Sequence, residues 1–355
     1  MNIFDTLSHL GYGELHFGHD HASGLHALVG IHSTRLGPAI GGSRIRFYDS
    51  EADAIDDVTR LAQGMAYKAA IARLPHGGGK AVIMAPADLA KWSPDKRAAL
   101  FKAFGRFVDN LGGRYITTED SGTSTSDMDV VRTTTKHVLG TSIEKGGSGD
   151  PSPFTALGCR RGIEAIANHV LGRADLKGLH VAIQGVGHVG AYLAQELHQA
   201  GCKLTICDVD PARRQAIATE LGAAVVDVDA ILEVDCDIVS PCALGGALTE
   251  AVVPKLKCKA VAGAANNQLR TPGVGKALAA RGIFYAPDYA INGGGLINVA
   301  EEYAGYNAAN ARKKTMAIYE TIAEIIDRSK REKAQPEVIT DQIAIERIAA
   351  GPHPQ

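Results

Sequence analysis

Two different periods organise the apolar positions of the chain. His26 to His32 (HALVGIH) and Tyr115 to Thr117 are short apolar runs of the kind that form strands. Ser93-Pro94 predicts a helix start, with an N-cap residue and a proline at the first helical position. Phe101, Phe104, Val108 and Leu111 then fall on one face, and Gly112-Gly113 ends the pattern. Such a helix packs its stripe on a sheet. A second helix is predicted from about Thr155 to His169, followed by a strand at His180 to Gln184. That strand runs into Gly185-Val186-Gly187-His188-Val189-Gly190 and another helical pattern. Further apolar runs lie at Lys203 to Cys207, Asp237 to Ser240, Ala260 to Ala264 and Ile283 to Ala286. Alternation at this spacing implies a parallel sheet covered on both faces. Helical sequence from Asn298 to about Ser329 should lead back towards the first half.

At 355 residues the chain exceeds what one hydrophobic core normally organises, so two domains are expected. Glu144 to Pro153 (EKGGSGDPSP) is the clearest change in composition and marks the boundary. The expected fold class is therefore α/β, with an amino-terminal α/β domain over residues 1–145 and a Rossmann-type domain over 146–329. A carboxy-terminal helix at about 330–355 is expected to return to the first domain.

Composition narrows the partners. The net charge is −2, from 37 basic and 39 acidic side chains with no basic block, so neither nucleic acid nor an anionic membrane is indicated. Small molecules are the expected partners. The six cysteines form no C-x-x-C pair, which argues against a zinc site and a disulfide framework. His16, His19, His21 and His26 have no regular ligand spacing, and no metal is expected. Without a cationic, apolar leader or a run of 18 apolar residues, a reduced cytoplasmic protein is expected.

Gly185 to Gly190 fit G-x-G-x-x-G, and the pattern gains force from its place between a strand and a helix. Asp208 lies 18 residues past Gly190, at the end of the next strand. The first glycine permits the turn, the second lets backbone approach a pyrophosphate and the third lets helix pack on strand. Asp208 would accept hydrogen bonds from the adenosine ribose and repel a 2′-phosphate, which favours NAD over NADP. Two alternatives stay open: Asp208 with Asp210 is also a strand-to-turn signal, and Arg213 with Arg214 could meet a 2′-phosphate.

Lys68 and Lys80 lie in apolar, small-residue surroundings, within GMAYKAA and GGGKAVI. A desolvated lysine beside another cation loses affinity for its proton, so one amine can act as base while its neighbour binds a carboxylate. Taken alone, Lys68 could equally snorkel at a helix end and Lys80 flank a turn. Thr117-Thr118-Glu119-Asp120 places carboxylates at a strand end, where α/β folds build sites, or else forms a solvated cap.

Together with GPAIGGSR from Gly37, GDPSP from Gly149, AGAANNQ from Ala262 and APDYAIN from Ala286, these segments resemble the glutamate, leucine, valine and phenylalanine dehydrogenases. The likeness is nearest the leucine branch and spans nearly the whole chain. It implies an amino-terminal substrate-binding and oligomerisation domain, a dinucleotide domain and a cleft that closes on the substrate. It also implies that Lys68 binds the substrate carboxylate with help from the N–H groups of Gly41 and Gly42. Lys80 would be the general base and Asp120 the proton shuttle. Asn266 would bridge substrate and nicotinamide ribose, Thr155 orient the carboxamide, and Arg44 and Cys242 neighbour the cofactor. The implied reaction is reversible, NAD-dependent oxidative deamination by a homo-oligomer. Ile40 stands where glutamate-specific relatives are expected to carry lysine, so an apolar side chain of the leucine or valine type is expected. Thr118 narrows that pocket and Ala290 widens it, which leaves phenylalanine or tryptophan as alternatives. A non-catalytic NAD-binding regulatory protein is the rival from another class. A 2-hydroxy acid dehydrogenase would need a His–carboxylate pair that His76 and His137 do not supply.

Overall fold

The computed structural model describes residues 3–9, 11 and 13–352. It divides into two compact units. One comprises the chain up to Gly149, Val299–Ala308 and the chain from Ala344; the other comprises Asp150–Asn298 and Ala309–Ile343. The chain thus leaves the first unit after Gly149 rather than at 145, and it returns in two segments rather than in one helix beginning near 330. The first return has a polar cause: the Glu302 carboxylate accepts hydrogen bonds from the Gly140 and Ser148 N–H groups at 2.8 and 2.7 Å.

The first unit contains α1 (Ile3–His9), β1 (Glu14–Asp20), β2 (Leu25–Ser33), β3 (Ala39–Arg46), α2 (Glu51–Ile71), β4 (Gly77–Met84), α3 (Pro94–Asp109), β5 (Tyr115–Glu119) and α4 (Thr125–Val131). Its five-stranded sheet has the order β1-β2-β4-β3-β5 and is mixed. The β1/β2 and β2/β4 pairs are antiparallel, whereas β3 runs parallel to both β4 and β5. The stripe predicted on α3 buries Leu100, Phe101, Phe104 and Val108 against Ala27, Val29, Ile31, Ala81, Ile83 and Tyr115. On the other face, Ala54, Ile55 and Val58 of α2 pack on Leu28, Tyr48 and Val82. Gly77, Gly78 and Gly79 are strand residues, not a turn, and they let α2 lie against the sheet. A Cβ at Gly78 would sit 2.0 Å from the Ala66 nitrogen.

Register decides what the site contains. Ile40 opposes both Gly78 and Ile116, Gly42 opposes Thr118, and Arg44 opposes Val82. Because side chains alternate along a strand, Ile40, Arg44, Lys80 and Thr118 all belong to the face that α2 covers.

The second unit contains α5 (Ser152–His169), β6 (His180–Gln184), α6 (His188–Gln199), β7 (Lys203–Cys207), α7 (Pro211–Leu221), β8 (Ala224–Val225), β9 (Ile238–Pro241), β10 (Ala260–Val261), α8 (Pro272–Ala280), β11 (Phe284–Tyr285), α9 (Asp288–Ile291) and most of α10 (Gly294–Ala300). Its sheet is parallel throughout, in the order β11-β10-β9-β6-β7-β8. Strand order reverses at β6, between β7 and β9, which is where such sheets bind nucleotides at their carboxyl ends. The helical sequence expected over 298–329 forms several helices. After α10 a short 3₁₀ turn ends at Gly305, with φ of +92°, and α11 (Ala308–Met316), α12 (Ile318–Glu332) and α13 (Pro336–Ala350) follow. Ile318, Ile322, Ile325 and Ile326 are the buried stripe of α12. No helix among the described residues is long and apolar enough to cross a membrane.

Candidate active site

Lys80 projects from the middle of β4 and is only 5% exposed. Its Nζ lies 2.7 Å from Oδ2 of Asp120, the residue that follows β5. The strand end is held in place by Thr123, whose Oγ1 accepts from the Asp120 N–H at 2.8 Å and donates to the Ser43 carbonyl at 3.0 Å. Arg44 Nε donates to the same Asp120 oxygen at 3.3 Å. Burial pulls the Lys80 pKa below its ordinary value, with Asp120 opposing and Arg44 assisting. Burial alone would raise the Asp120 pKa, but Lys80 and Arg44 together hold it below the usual carboxylate value. The pair can therefore exchange protons with a molecule beside it: a reluctant ammonium faces a stabilised carboxylate.

Lys68 lies in the last turn of α2 and is half-buried. Ile40 is fully buried in β3, and Gly41 and Gly42 sit beside it opposite Thr117 and Thr118. Thr118 is buried too, and among the described residues its Oγ1 has no hydrogen-bond partner. Three contributors escaped the sequence reading. Tyr115 is fully buried and donates its hydroxyl to the Gly41 carbonyl at 2.6 Å. Asp57 of α2 accepts from Arg44 Nη1 at 3.1 Å, and the Tyr48 hydroxyl donates to Asp57 at 2.6 Å. Their only sequence signal is a polar residue on a helix or turn, which is what any solvated surface also shows.

In the second unit the turn from β6 into α6 has the form its glycines permit. Gly185 has φ of +92°, and a Cβ at Gly190 would fall 2.0 Å from the Gly185 carbonyl oxygen and 3.3 Å from Cβ of Cys242. Gly187 is the N-cap, without any side chain capping the helix, and a Cβ there would meet nothing within 4 Å. The open helix N-terminus faces a cleft of about 440 Å3 lined by Val186, Gly187, His188, Ala191, Tyr192, Gln195 and Arg213. Asp208 stands at the end of β7 and is buried. It accepts from the Val186 N–H at 2.8 Å, from the Asp210 N–H at 2.9 Å and from Arg213 Nη1 at 3.4 Å. Asp208 thus secures its own turn and holds Arg213, which lines the cleft. An uncapped N-terminus, an open second glycine and an acid on the neighbouring strand fit a dinucleotide pyrophosphate and ribose.

The other residues assigned to cofactor or substrate lie on the same unit. Val189 is in the first turn of α6, and Cys242 follows β9 with its Sγ 3.5 Å from Ser240 Oγ. Thr155 is on α5 and donates to the Pro151 carbonyl. Asn266 is exposed beyond β10, its Oδ1 accepting from Asn292 Nδ2 at 2.8 Å, and Ala290 is buried in α9. His19 and His26 oppose each other on β1 and β2, rings edge to face at 4.8 Å. Among the described residues, no three His, Cys, Asp or Glu side chains gather as a metal site.

Comparison with known proteins places the chain in a family. Residues 14–137 match the family described as Glu/Leu/Phe/Val dehydrogenase, dimerisation domain. Residues 146–212 and 205–349 match Glutamate/Leucine/Phenylalanine/Valine dehydrogenase. The chain is 46% identical over 350 residues to a leucine dehydrogenase of Bacillus cereus, covering 99% of this chain and 94% of that one. It is 44% identical over 360 residues to a valine dehydrogenase of Streptomyces coelicolor, covering 99% and 98%. The crystal structure of L-tryptophan dehydrogenase from Nostoc punctiforme superposes with a TM-score of 0.89 at 39% identity, covering 98% of each chain. On these matches this chain is a member of the glutamate/leucine/phenylalanine/valine dehydrogenase family, beside its leucine dehydrogenases.

Proposed function

We propose that this chain catalyses the reversible oxidative deamination of an apolar L-amino acid, leucine or valine first, with NAD. The observation that carries the reading is a buried lysine amine held 2.7 Å from a carboxylate, in a chain of this family. L-amino acid, NAD and water give the 2-oxo acid, ammonium, NADH and a proton. When bound, the nicotinamide supplies the hydride acceptor. Lys68, as a charged ammonium, binds the substrate carboxylate together with the N–H groups of Gly41 and Gly42. Asp120 takes a proton from the substrate ammonium and returns it to the departing ammonia. Lys80 accepts the proton of the water that adds to the imine, a role that its burial suits. On the second unit, Gly185 to Gly190 hold the pyrophosphate and Asp208 the adenosine ribose, while Thr155, Cys242 and Asn266 serve the nicotinamide end. The acidity of Asp208 favours NAD over NADP.

Ile40 offers no charge to a glutamate side chain, and burying an unpaired carboxylate there would be costly. Relatives named for leucine and valine stand at 44–47% identity, which favours branched side chains. The match to an L-tryptophan dehydrogenase favours an aromatic substrate as the second reading. The family's description of a dimerisation domain over 14–137 supports a homo-oligomer. Six free cysteines are in keeping with a reducing cytoplasm.

The test is NADH formation at alkaline pH with single amino acids and with 2-hydroxy acids. Turnover of leucine and valine ahead of phenylalanine and tryptophan is expected. Turnover of hydroxy acids and of no amino acid would end the deamination reading.

A further inference from the structure

Asp120 is held by more than the lysine that the deamination uses. Its Oδ2 receives Lys80 Nζ at 2.7 Å from β4 and Arg44 Nε at 3.3 Å from β3. Arg44 is itself secured. Its Nη1 donates to both oxygens of Asp57, at 3.4 and 3.1 Å, and the Tyr48 hydroxyl donates to Asp57 Oδ2 at 2.6 Å. The Arg44 and Asp57 side chains are only 20% and 16% exposed, so water does little to dissolve the contact. A carboxylate just beyond a strand end would otherwise turn about two side-chain torsions. Two donors from different strands on one oxygen remove that freedom, and proton transfer depends steeply on such geometry.

We propose that Arg44, tethered by Asp57 and Tyr48, is a positioning residue that fixes the Asp120 carboxylate against Lys80 for proton transfer to and from the substrate. The proposal rests on the deamination reading above. It gives Arg44 a role set by its carboxylate partners rather than by the cofactor that the family resemblance assigned to it.

The charges around the pair set the signs. Around Lys80 and Asp120 stand Arg44 on β3, Tyr48 after it and Asp57 on α2, while Tyr115 of β5 lies on the opposite face of the sheet within electrostatic reach of Asp120; Glu119 precedes Asp120, and Lys68 lies about three turns along α2 from Asp57. Arg44 favours the Asp120 carboxylate and disfavours the Lys80 ammonium, while Asp57 favours that ammonium. Removing Arg44 therefore moves both groups towards higher pH, and neutralising Asp57 moves Lys80 the opposite way.

The experiment measures kcat, KM and the pH profile of amino acid oxidation for the full chain, with NAD affinity from calorimetry. Arg44→Met should lower kcat by about tenfold with KM changed far less, and should displace the profile upward by about half a pH unit. Asp57→Asn should displace it downward. Arg44→Lys, which keeps the charge but loses the second arm, should restore the profile without restoring kcat. Tyr48→Phe removes one hydroxyl and keeps the ring, so it serves if the other variants fail to fold. It should lower kcat by about two- to fivefold at unchanged NAD affinity. Weaker NAD binding as the sole effect of Arg44→Met, with Asp57→Asn and Tyr48→Phe silent, would overturn the proposal and leave deamination standing. A wild-type chain inactive on every amino acid would remove both.

Discussion

With Lys80 as the proposed base, the rate of deamination is expected to rise with pH as its neutral amine is populated. Burial places the folded pKa below the ordinary 10.5, and the rise therefore comes at lower pH than for an exposed lysine. Lys80→Ala should lower kcat by about 100- to 10,000-fold while calorimetric NAD affinity barely changes; a near-normal rate would remove Lys80 as the base. Asp120 carries the opposite linkage. Its folded pKa lies below 3.8, so its contribution to stability is present above that value and is lost as pH falls through the folded one. Thr118 is a different kind of residue, a buried hydroxyl without a described partner. Thr118→Ala should shift the leucine-to-valine ratio of kcat/KM towards the larger side chain, by about tenfold at most. The Lys80–Asp120 pair was foreshadowed in the sequence, Lys80 as a charge among small apolar residues and Asp120 as an acid at a strand end. Asp57 and Tyr48 were not, since an aspartate on a helix and a tyrosine in a turn look alike whether they face water or an arginine.

Among the elements, α2 joins core and chemistry. Ser50 caps its start by accepting from the Asp53 N–H, its apolar side packs on the sheet, and its last turn carries Lys68. The far end is held from a distant part of the chain. Arg347 Nη1 donates to the carbonyls of Ala70 and Ile71 at 3.2 and 2.8 Å, the first shared with the Arg73 N–H and the second an acceptor that the helix terminus leaves open. Arg347→Ala leaves buried carbonyls without that donor and should cost about 1–3 kcal/mol in denaturant unfolding. A change below a few tenths of that would show that water replaces the guanidinium. Element type was readable wherever a period ran long enough, as on α3, or wherever a strand ended at a glycine turn, as at β6. The glycines of β4 misled, because Gly-Gly-Gly usually marks a turn; here a helix presses on the strand and leaves no room for side chains. The run from Asn298 reads as helical sequence because its composition is helical, and the structure breaks it both at Gly305 and between α11 and α12.

The whole molecule is two units with two kinds of sheet, and the proposed function assigns proton transfer to the first and dinucleotide binding to the second. A ligand that binds only the folded state stabilises it, so NAD at about a hundred times its dissociation constant should add about 2.7 kcal/mol and raise Tm. NADP at the same concentration should raise Tm less, and an equal rise would show that Arg213 outweighs the repulsion from Asp208. The parallel sheet, its phosphate turn and the acid after β7 were determined by the sequence alone, because each is a local pattern in which one strand, one turn and one helix follow in order. The first unit needed the tertiary structure. Ile40, Arg44, Lys80 and Thr118 come from three strands whose order in the sheet is not their order in the chain, and Asp120 directly follows one of them. Only cross-strand register puts them on one face, and register is a long-range property that no local period encodes.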